Sequence, residues 1–522
     1  MISINCNMDF VPHNLISPPA AQTDNSIAVL WQKPYNISNV VGYRIYVNGE
    51  VAGTSQSTDY TITDLTSSQE YEIFVRAVLK SGELSAKSNK IRIKTKAKPE
   101  IFDITSFGAV ADGRTMNTEA IQKAIDTCSY GGKVYVPKGV FLTGAIYLKS
   151  NMTLYIEEGG VLLGSPDTAD YPLMKYRFEG LETTCYASLI NTRNSNGERF
   201  ENIIIEGPGK IDANGCALRK KEVSENGGKP GRAICIRNTD NLYLKDITVK
   251  QSPAWCVHFI YCNHVSINNI KVYTRQDEDG KRYMNICNGD GIDPDSSSDV
   301  YIFNSVIASQ DDCIAIKSGR DAEGRMVGIP SENIRITNCT FKSGFGVAVG
   351  SEASGSVRNV FVQDCSFDNV YSVATIKASR GRGGVIKNVR YEDIIYQNHS
   401  LEFSDCRWFR GAINIDQFYS HEIFDVDKAE EMNDGTPVIQ DIYFKNILLD
   451  TYAGNAIYLA GLPESHLKNI YFENVKATGK YGFKAYNVDG LYLTDVSVVS
   501  RQDEPFVFKN VKTNKSFISG RK

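Results

Sequence analysis

Glu332–Phe341 reads ENIRITNCTF and Arg358–Phe367 reads RNVFVQDCSF. The two segments agree position by position, with Asn333 and Asn359 set 26 residues apart and Cys339 and Cys365 at the same interval. Each begins with a polar turn residue and continues with aliphatic positions alternating with polar ones, the period of a half-buried strand. The same pattern recurs at Glu201 (ENIIIEG), Asp240 (DNLYLKDITV), Ser298 (SDVYIFNSVI), Lys387 (KNVRYEDIIY), Gln440 (QDIYFKNILL) and Lys468 (KNIYFENVKA). Propeller blades and leucine-rich repeats have longer or helix-bearing units. Short strands at these intervals predict a right-handed parallel β-helix, in which like residues stack in interior ladders. Upstream, Ala120, Ile121, Ala124 and Ile125 keep a helical period, with Asn117 or Thr118 available as cap. One amphipathic helix ahead of a long β region suits a lid over the open first rung.

The chain has 522 residues and a net charge of −4, so two domains are expected and a nucleic-acid binder working by counterion release is excluded. No apolar run reaches membrane-spanning length. The first residues, MISINCNMDFVPHN, lack a basic start followed by an apolar core. Cysteines sit inside strand-like runs (Cys235, Cys256, Cys313) and show no CxxC spacing, which reads as free thiols in a reducing compartment. The expectation is a cytoplasmic protein, or one whose leader has been trimmed.

Residues 1–16 read as an extension, 17–98 as an antiparallel sandwich and 99–522 as the β-helix. Within the second segment, Trp31 in AVLWQKP, Tyr43 in GYRIYVNG, and Leu65 followed by Tyr71 in LTSSQEYEIFVRAV resemble the fibronectin type III module. The resemblance implies a core tryptophan and tyrosine, a corner hydrogen bond from Tyr71, and a spacer or docking surface without chemistry.

Chemistry concentrates between Asn288 and Arg320, NGDGIDPDSSSDVYIFNSVIASQDDCIAIKSGR. Asp290 lies between glycines, and Asp311 and Asp312 precede an apolar run. Carboxylates beside a buried strand face are costly to desolvate, so chemistry competes here with a plain reading as solvated turn residues. Asp290 and Asp311 are separated by about one coil, which places the acids on neighbouring rungs, roughly 5 Å apart. Adjacent residues of a regular strand point to opposite faces, so Asp311 and Asp312 share a cleft only if the backbone bends there.

Asn288-Gly289-Asp290-Gly291, Gln310-Asp311-Asp312-Cys313 and Thr375-Ile376-Lys377 resemble, in order, the motifs of glycoside hydrolase family 28, the polygalacturonase family. The resemblance runs from about Ile101 onward and is nearest the bacterial exo-acting branch, through SPDTADYPLMKYRFEG, SPAWCVHF and IKSGRDAEGR. It implies Asp311 as general acid, Asp290 and Asp312 as activators of water, a pectic oligosaccharide as substrate, and neither metal nor cofactor. Inverting hydrolysis needs one protonated and one ionised carboxyl, and crowded acids supply both states.

A galacturonate carboxylate calls for cations, and Lys317, Arg320, Lys377, Arg380 and Arg382 fall on the expected face, with solubility as their other reading. Two positions depart from the family: Phe345 stands where most members carry histidine, and Thr375 where most carry arginine. Phe345 either stacks on a sugar or desolvates Asp311. His258 is either a replacement for the histidine or a core residue, while Trp255 and Tyr419 are either sugar platforms or core. The sequence thus predicts an exo-acting inverting galacturonidase. Its rivals are a rhamnogalacturonan hydrolase of the same family, a β-helical lyase, and a catalytically inactive carbohydrate-binding β-helix.

Overall fold

The computed structural model describes residues 10–192, 197–401, 410–419, 424–514 and 518–521. Its first part is a sandwich of two antiparallel sheets, one of His13–Ile16, Ile27–Gln32 and Asp59–Ile62, the other of Val40–Val47, Glu50–Ser55, Glu70–Leu79 and Ile91–Lys94. The sheet begins ahead of Ser17, because His13–Ile16 pairs with Ile27–Gln32. Trp31 is fully buried and meets Tyr43 edge-on, ring centres 5.2 Å apart. The Tyr71 hydroxyl accepts a hydrogen bond from the backbone N–H of Thr66 at 2.8 Å, forming the corner.

From Ile101 onward the strands, apart from the antiparallel hairpin Leu173–Phe178 with Leu181–Tyr186, join one parallel sheet that winds upon itself. Val300, Ile334, Val360, Val389, Ile442, Ile470 and Leu491 follow one another in register, all within 1 % of complete burial. The repeated asparagines explain the repeated corners. Asn333, Asn359 and Asn388 all take left-handed backbone angles (φ 55°, 57° and 52°), which asparagine tolerates better than most residues. Their carboxamides form a ladder, Asn388 donating to Asn359 at 2.9 Å and Asn359 to Asn333 at 3.0 Å.

The helix Thr118–Thr127 closes the first coil with Ile121, Ala124 and Ile125 buried. Neither expected side chain caps it. Asn117 instead accepts from Val110 N–H (2.7 Å) and donates to Thr115 O (2.7 Å), and the Thr118 hydroxyl accepts from Gly144 N–H (2.7 Å). Both tie the helix to its flanking loops.

The sandwich is not a free spacer. Ala20, Ala21, Ala28 and Leu30 pack on Ile204, Tyr243 and Phe303 of the coil. Around this patch Arg335 donates to Trp31 O (2.8 Å), Asn338 to Asp59 (2.6 Å) and Lys33 to Asp393 (3.0 Å) and Asp364.

Candidate active site

Three consecutive coils build the floor of one cleft, through Ile292–Asp295, Ile314–Ile316 and Val347–Gly350. Ile292 pairs with Ile314, so Asp290 and Asp312 occupy matching places on adjacent rungs, and the N–H of Gly291 binds Asp312 O at 2.9 Å. The chain bends at Gln310, Asp311 and Cys313 before the strand resumes at Ile314. With that bend both Asp311 and Asp312 reach the cleft. The bend leaves no room for a side chain opposite: Gly344, at φ 96°, would place a Cβ 2.2 Å from Asp311 O.

The cleft encloses about 400 Å³ and brings together Asp290, Asp311, Asp312, Lys317, Arg320, Phe345, Lys377, Arg382 and Tyr419, with Trp255 and Thr375. Asp290 and Asp312 are each 2 % exposed. Burial raises the pKa of Asp290, with Asp293 adding to the rise, and burial next to Asp312 raises that of Asp311. Lys377 donates to Asp312 at 2.8 Å, and its ammonium lies 5.0 Å from the Tyr419 ring centre. Burial opposes the charge of Lys377, yet Asp312, Tyr419 and Asp311 together outweigh it and lift its pKa. Lys317 stands among Glu352 (3.2 Å), Asp290 (3.5 Å) and Asp293 (3.8 Å). These acids overcome the penalty of burial and keep it charged.

Two residues expected at the substrate lie elsewhere. His258 is fully buried, edge-on behind Trp255 (4.9 Å), with Nε2 3.3 Å from Asp295. Burial depresses its pKa to about 3, so it is a neutral core histidine. Arg380 is held by Glu464 through two hydrogen bonds of 2.6 and 2.8 Å and does not line the cleft, because its fork is already matched to a carboxylate. Arg382, two residues on, does line it, anchored by Ser351 O (3.0 Å) and Asp321. Trp255 combines both readings: it lines the cleft yet is 2 % exposed, stacked on Phe178 at 5.3 Å.

Sequence reasoning missed Glu352, Glu179 and Asp293. Glu352 lines the cleft, and although burial works against its charge, Lys317 and Arg382 lower its pKa to about 2. Glu179 sits at the tip of a hairpin, Leu173–Phe178 with Leu181–Tyr186, bent over one end of the cleft. That tip is pinned where Arg320 N–H binds Gly180 O (3.0 Å) and Glu182 N–H binds Glu323 of the helix Asp321–Val327 (2.8 Å). Asp293, buried behind the cleft lining and 3.8 Å from Lys317, carried a signal, an acid in the strand-like GIDPD.

The model of glycosyl hydrolases family 28 matches residues 133–497. The chain belongs to glycoside hydrolase family 28. The fibronectin type III model matches residues 11–94 of this glycosidase. The hydrolase is 27 % identical to the exo-poly-alpha-D-galacturonosidase of Dickeya chrysanthemi over 92 % of this chain and 94 % of that one. It is 30 % identical to a probable polygalacturonase of Vitis vinifera, over 71 % of this chain and 73 % of that one. Its fold superposes on a family 28 exopolygalacturonase of Yersinia enterocolitica with a TM-score of 0.82, 23 % identity, and 98 % and 100 % of the two chains covered.

Proposed function

We propose that this glycosidase is exo-acting and inverting, releasing galacturonic acid from the non-reducing end of pectic oligosaccharides. The observation that carries the reading is the hairpin tip seated at the cleft. Glu179 of that tip and Arg320 both line the cleft, and Arg320 N–H binds Gly180 O at 3.0 Å, which we read as a wall that gives a sugar chain a pocket rather than a through-passage. Residues 166–199 and 321–331, long for turns in a compact coil, include that tip and the helix that pins it; of these, 193–196 lie outside the described residues. Lys317, Arg320 and Arg382 at that end suit the carboxylate of a terminal galacturonate.

In this reading Asp311 is the general acid. Burial beside Asp312 favours its protonated form, and the proton passes to the leaving oxygen. Asp290 and Asp312 orient and deprotonate a water on the opposite face of the sugar, giving single displacement. Lys377, hydrogen-bonded to Asp312 at 2.8 Å, holds that carboxyl in place for the task.

A rhamnogalacturonan reading draws on the other end of the cleft. There the lining has Phe345, tilted against Tyr371 at 5.1 Å, and Thr375, whose hydroxyl is shared with Ser372 at 2.8 Å. Uncharged groups at these places suit a neutral leaving sugar. Time-resolved product analysis on oligogalacturonates and on rhamnogalacturonan oligomers, with NMR of the first-formed anomer, separates the readings. Monosaccharide of inverted configuration from the first turnovers is expected from oligogalacturonates. Early oligomers of mixed length refute the exo reading, a retained anomer refutes the assigned acids, and cleavage of rhamnogalacturonan alone selects the second substrate.

The described cysteines are free thiols, and we propose a reducing compartment, the cytoplasm, as the site of action. Fractionation of cells carrying the native gene tests it: activity recovered outside the cytoplasm refutes it.

A further inference from the structure

One carboxylate in the cleft has the wrong sign for an anionic sugar. Glu352 follows the strand Val347–Gly350 on the third rung of the floor and lines the cleft with Asp290, Asp311 and Asp312, yet it has no part in the hydrolysis as assigned. It is charged, because Lys317 and Arg382 outweigh burial. A fixed negative charge repels the carboxylate of a galacturonate, so what it takes from such a substrate is a hydrogen bond from a hydroxyl.

Contacts on two sides fix its place. Glu352 shares the Lys317 ammonium with Asp290, at 3.2 and 3.5 Å, and so stands one ammonium away from the acids. On its other side is the hairpin tip: a Cβ on Gly180 would fall 2.7 Å from Glu352 Cγ and 2.5 Å from Arg320 Cβ. Ser318 N–H holds its backbone oxygen at 2.6 Å. Each carboxylate oxygen has one donor, Lys317 on Oε2 and the Ser351 hydroxyl on Oε1, both at 3.2 Å, out of the four or so acceptor positions that such a group offers. The side chain is 11 % exposed against 3 % for Asp290, which leaves the spare positions open to the cleft. Glu179, the other carboxylate at the tip, is 46 % exposed and 3.9 Å from Arg320, a less firmly held acceptor.

In a 1→4-linked galacturonan the residue at the non-reducing end differs from every internal one by a free hydroxyl at C4. A wall that stops the chain there faces that hydroxyl. Resting on the galacturonidase reading above, we propose that Glu352 is a specificity-determining residue that accepts a hydrogen bond from the 4-hydroxyl of the terminal galacturonate. Ends made by hydrolysis carry this hydroxyl. Ends made by β-elimination have a 4,5 double bond instead, and leave Glu352 without its donor.

The test measures kcat/KM of the native chain, E352A and E352Q on trigalacturonate and on its 4,5-unsaturated counterpart. The native chain should prefer the saturated end by about a hundredfold or more. The flattened ring of the unsaturated end affects all three enzymes alike and cancels when their preferences are compared. E352A should lose about thirtyfold on the saturated substrate and little on the other, so that the preference collapses, with E352Q, a neutral acceptor, in between. The proposal is overturned if the native chain shows no preference, or if E352A and E352Q slow both substrates equally, as they would were Glu352 a mere support for Lys317. Calorimetric titration of both trisaccharides into D311N, with and without E352Q, applies the same criterion to affinity and needs no turnover. A native chain that is inert, or that cuts in mid-chain, therefore refutes the reading above while the affinity ratio still decides for or against Glu352, and failure of D311N to bind either sugar refutes both.

Discussion

Two clusters of buried charge hold the molecule together, one at the seam between sandwich and coil, the other under the cleft. At the seam, Asp393 accepts hydrogen bonds from Lys33 (3.0 Å), Asn446 (2.8 Å) and Gln363 (3.2 Å), and these donors outweigh burial to depress its pKa. Under the cleft, Asp293 and the Oδ1 of Asp312 have no such donor among the described residues. The contrast lies between single carboxylates rather than whole clusters. Asp393 gains from saturation with neutral and charged donors, whereas Asp293 and Asp312 are left short of them; Asp364, also at the seam, behaves like the second pair, with one oxygen undonated and its pKa raised chiefly by burial.

The strongest way to test the contrast is Asp311→Asn. Carboxamide cannot deliver a proton, so kcat should fall by about a thousandfold while the melting temperature stays native, because the core is untouched. Retention of more than a few per cent of activity would remove Asp311 from the acid role.

Next comes a matched pair, Lys377→Met and Lys33→Met. Deleting Lys377 leaves Asp312, 2 % exposed, without its 2.8 Å partner, and breaking such a buried pair costs about 3–5 kcal/mol. Lys33 is 20 % exposed, and its loss leaves Asp393 with Asn446 and Gln363 but Asp364 without its donor, so it should cost about 2 kcal/mol. Denaturant midpoints measured on both variants decide it, and equal losses would erase the distinction between seam and cleft.

Titration gives the two clusters opposite slopes. Glu352, lowered from 4.5 to about 2, binds fewer protons folded than unfolded, so its contribution is present above pH 4.5 and is lost as pH falls towards 2. Asp59 at the seam is raised from 3.8 to about 6, chiefly by burial. It retains a proton on folding, so its contribution is full below pH 3.8 and fades as pH rises through 6. Melting curves should therefore show Glu352→Gln flattening the acid limb between pH 2 and 4.5, and Asp59→Asn flattening the decline between pH 4 and 6. A variant that alters the wrong window breaks the assignment.

The smallest effect is expected from Phe345→His. Phe345 N–H binds Asp311 O at 3.1 Å, so an imidazolium there would favour the ionised form of the acid. The alkaline limb of kcat should drop by about one pH unit or less. An unchanged profile places the side chain of residue 345 outside the field of Asp311.

The coil was legible because its corners repeat a chemical requirement. Asn333 and Asn359 are asparagines for the same reason, a left-handed turn and a carboxamide ladder, and a repeated requirement leaves a repeated letter. The acids were legible because glycines and a doubled aspartate stand out against apolar strands, and their spacing matched one coil. Arg380 and Arg382 were not separable by the same means. They sit in one turn, SRGRGG, and what divides them is Glu464, far along the chain, which captures the first alone. His258 failed for a related reason: whether an imidazole at a strand position faces solvent or core depends on Trp255 and Asp295 closing over it. Glu179 and Glu352 come from turns without a period, and only folding brings them to the cleft.

On the exo reading proposed above, the hairpin tip pinned at the cleft also governs how this glycosidase meets a polymer. A site that admits only a terminus counts molecules, not mass. For a fixed weight of polysaccharide, halving the mean chain length doubles the number of usable ends, so at low substrate the velocity should double with no change in any contact at the cleft. Such a catalyst gains most downstream of one that cuts in mid-chain, and its progress curves on a uniform oligomer should run without the early collapse of viscosity that mid-chain scission brings.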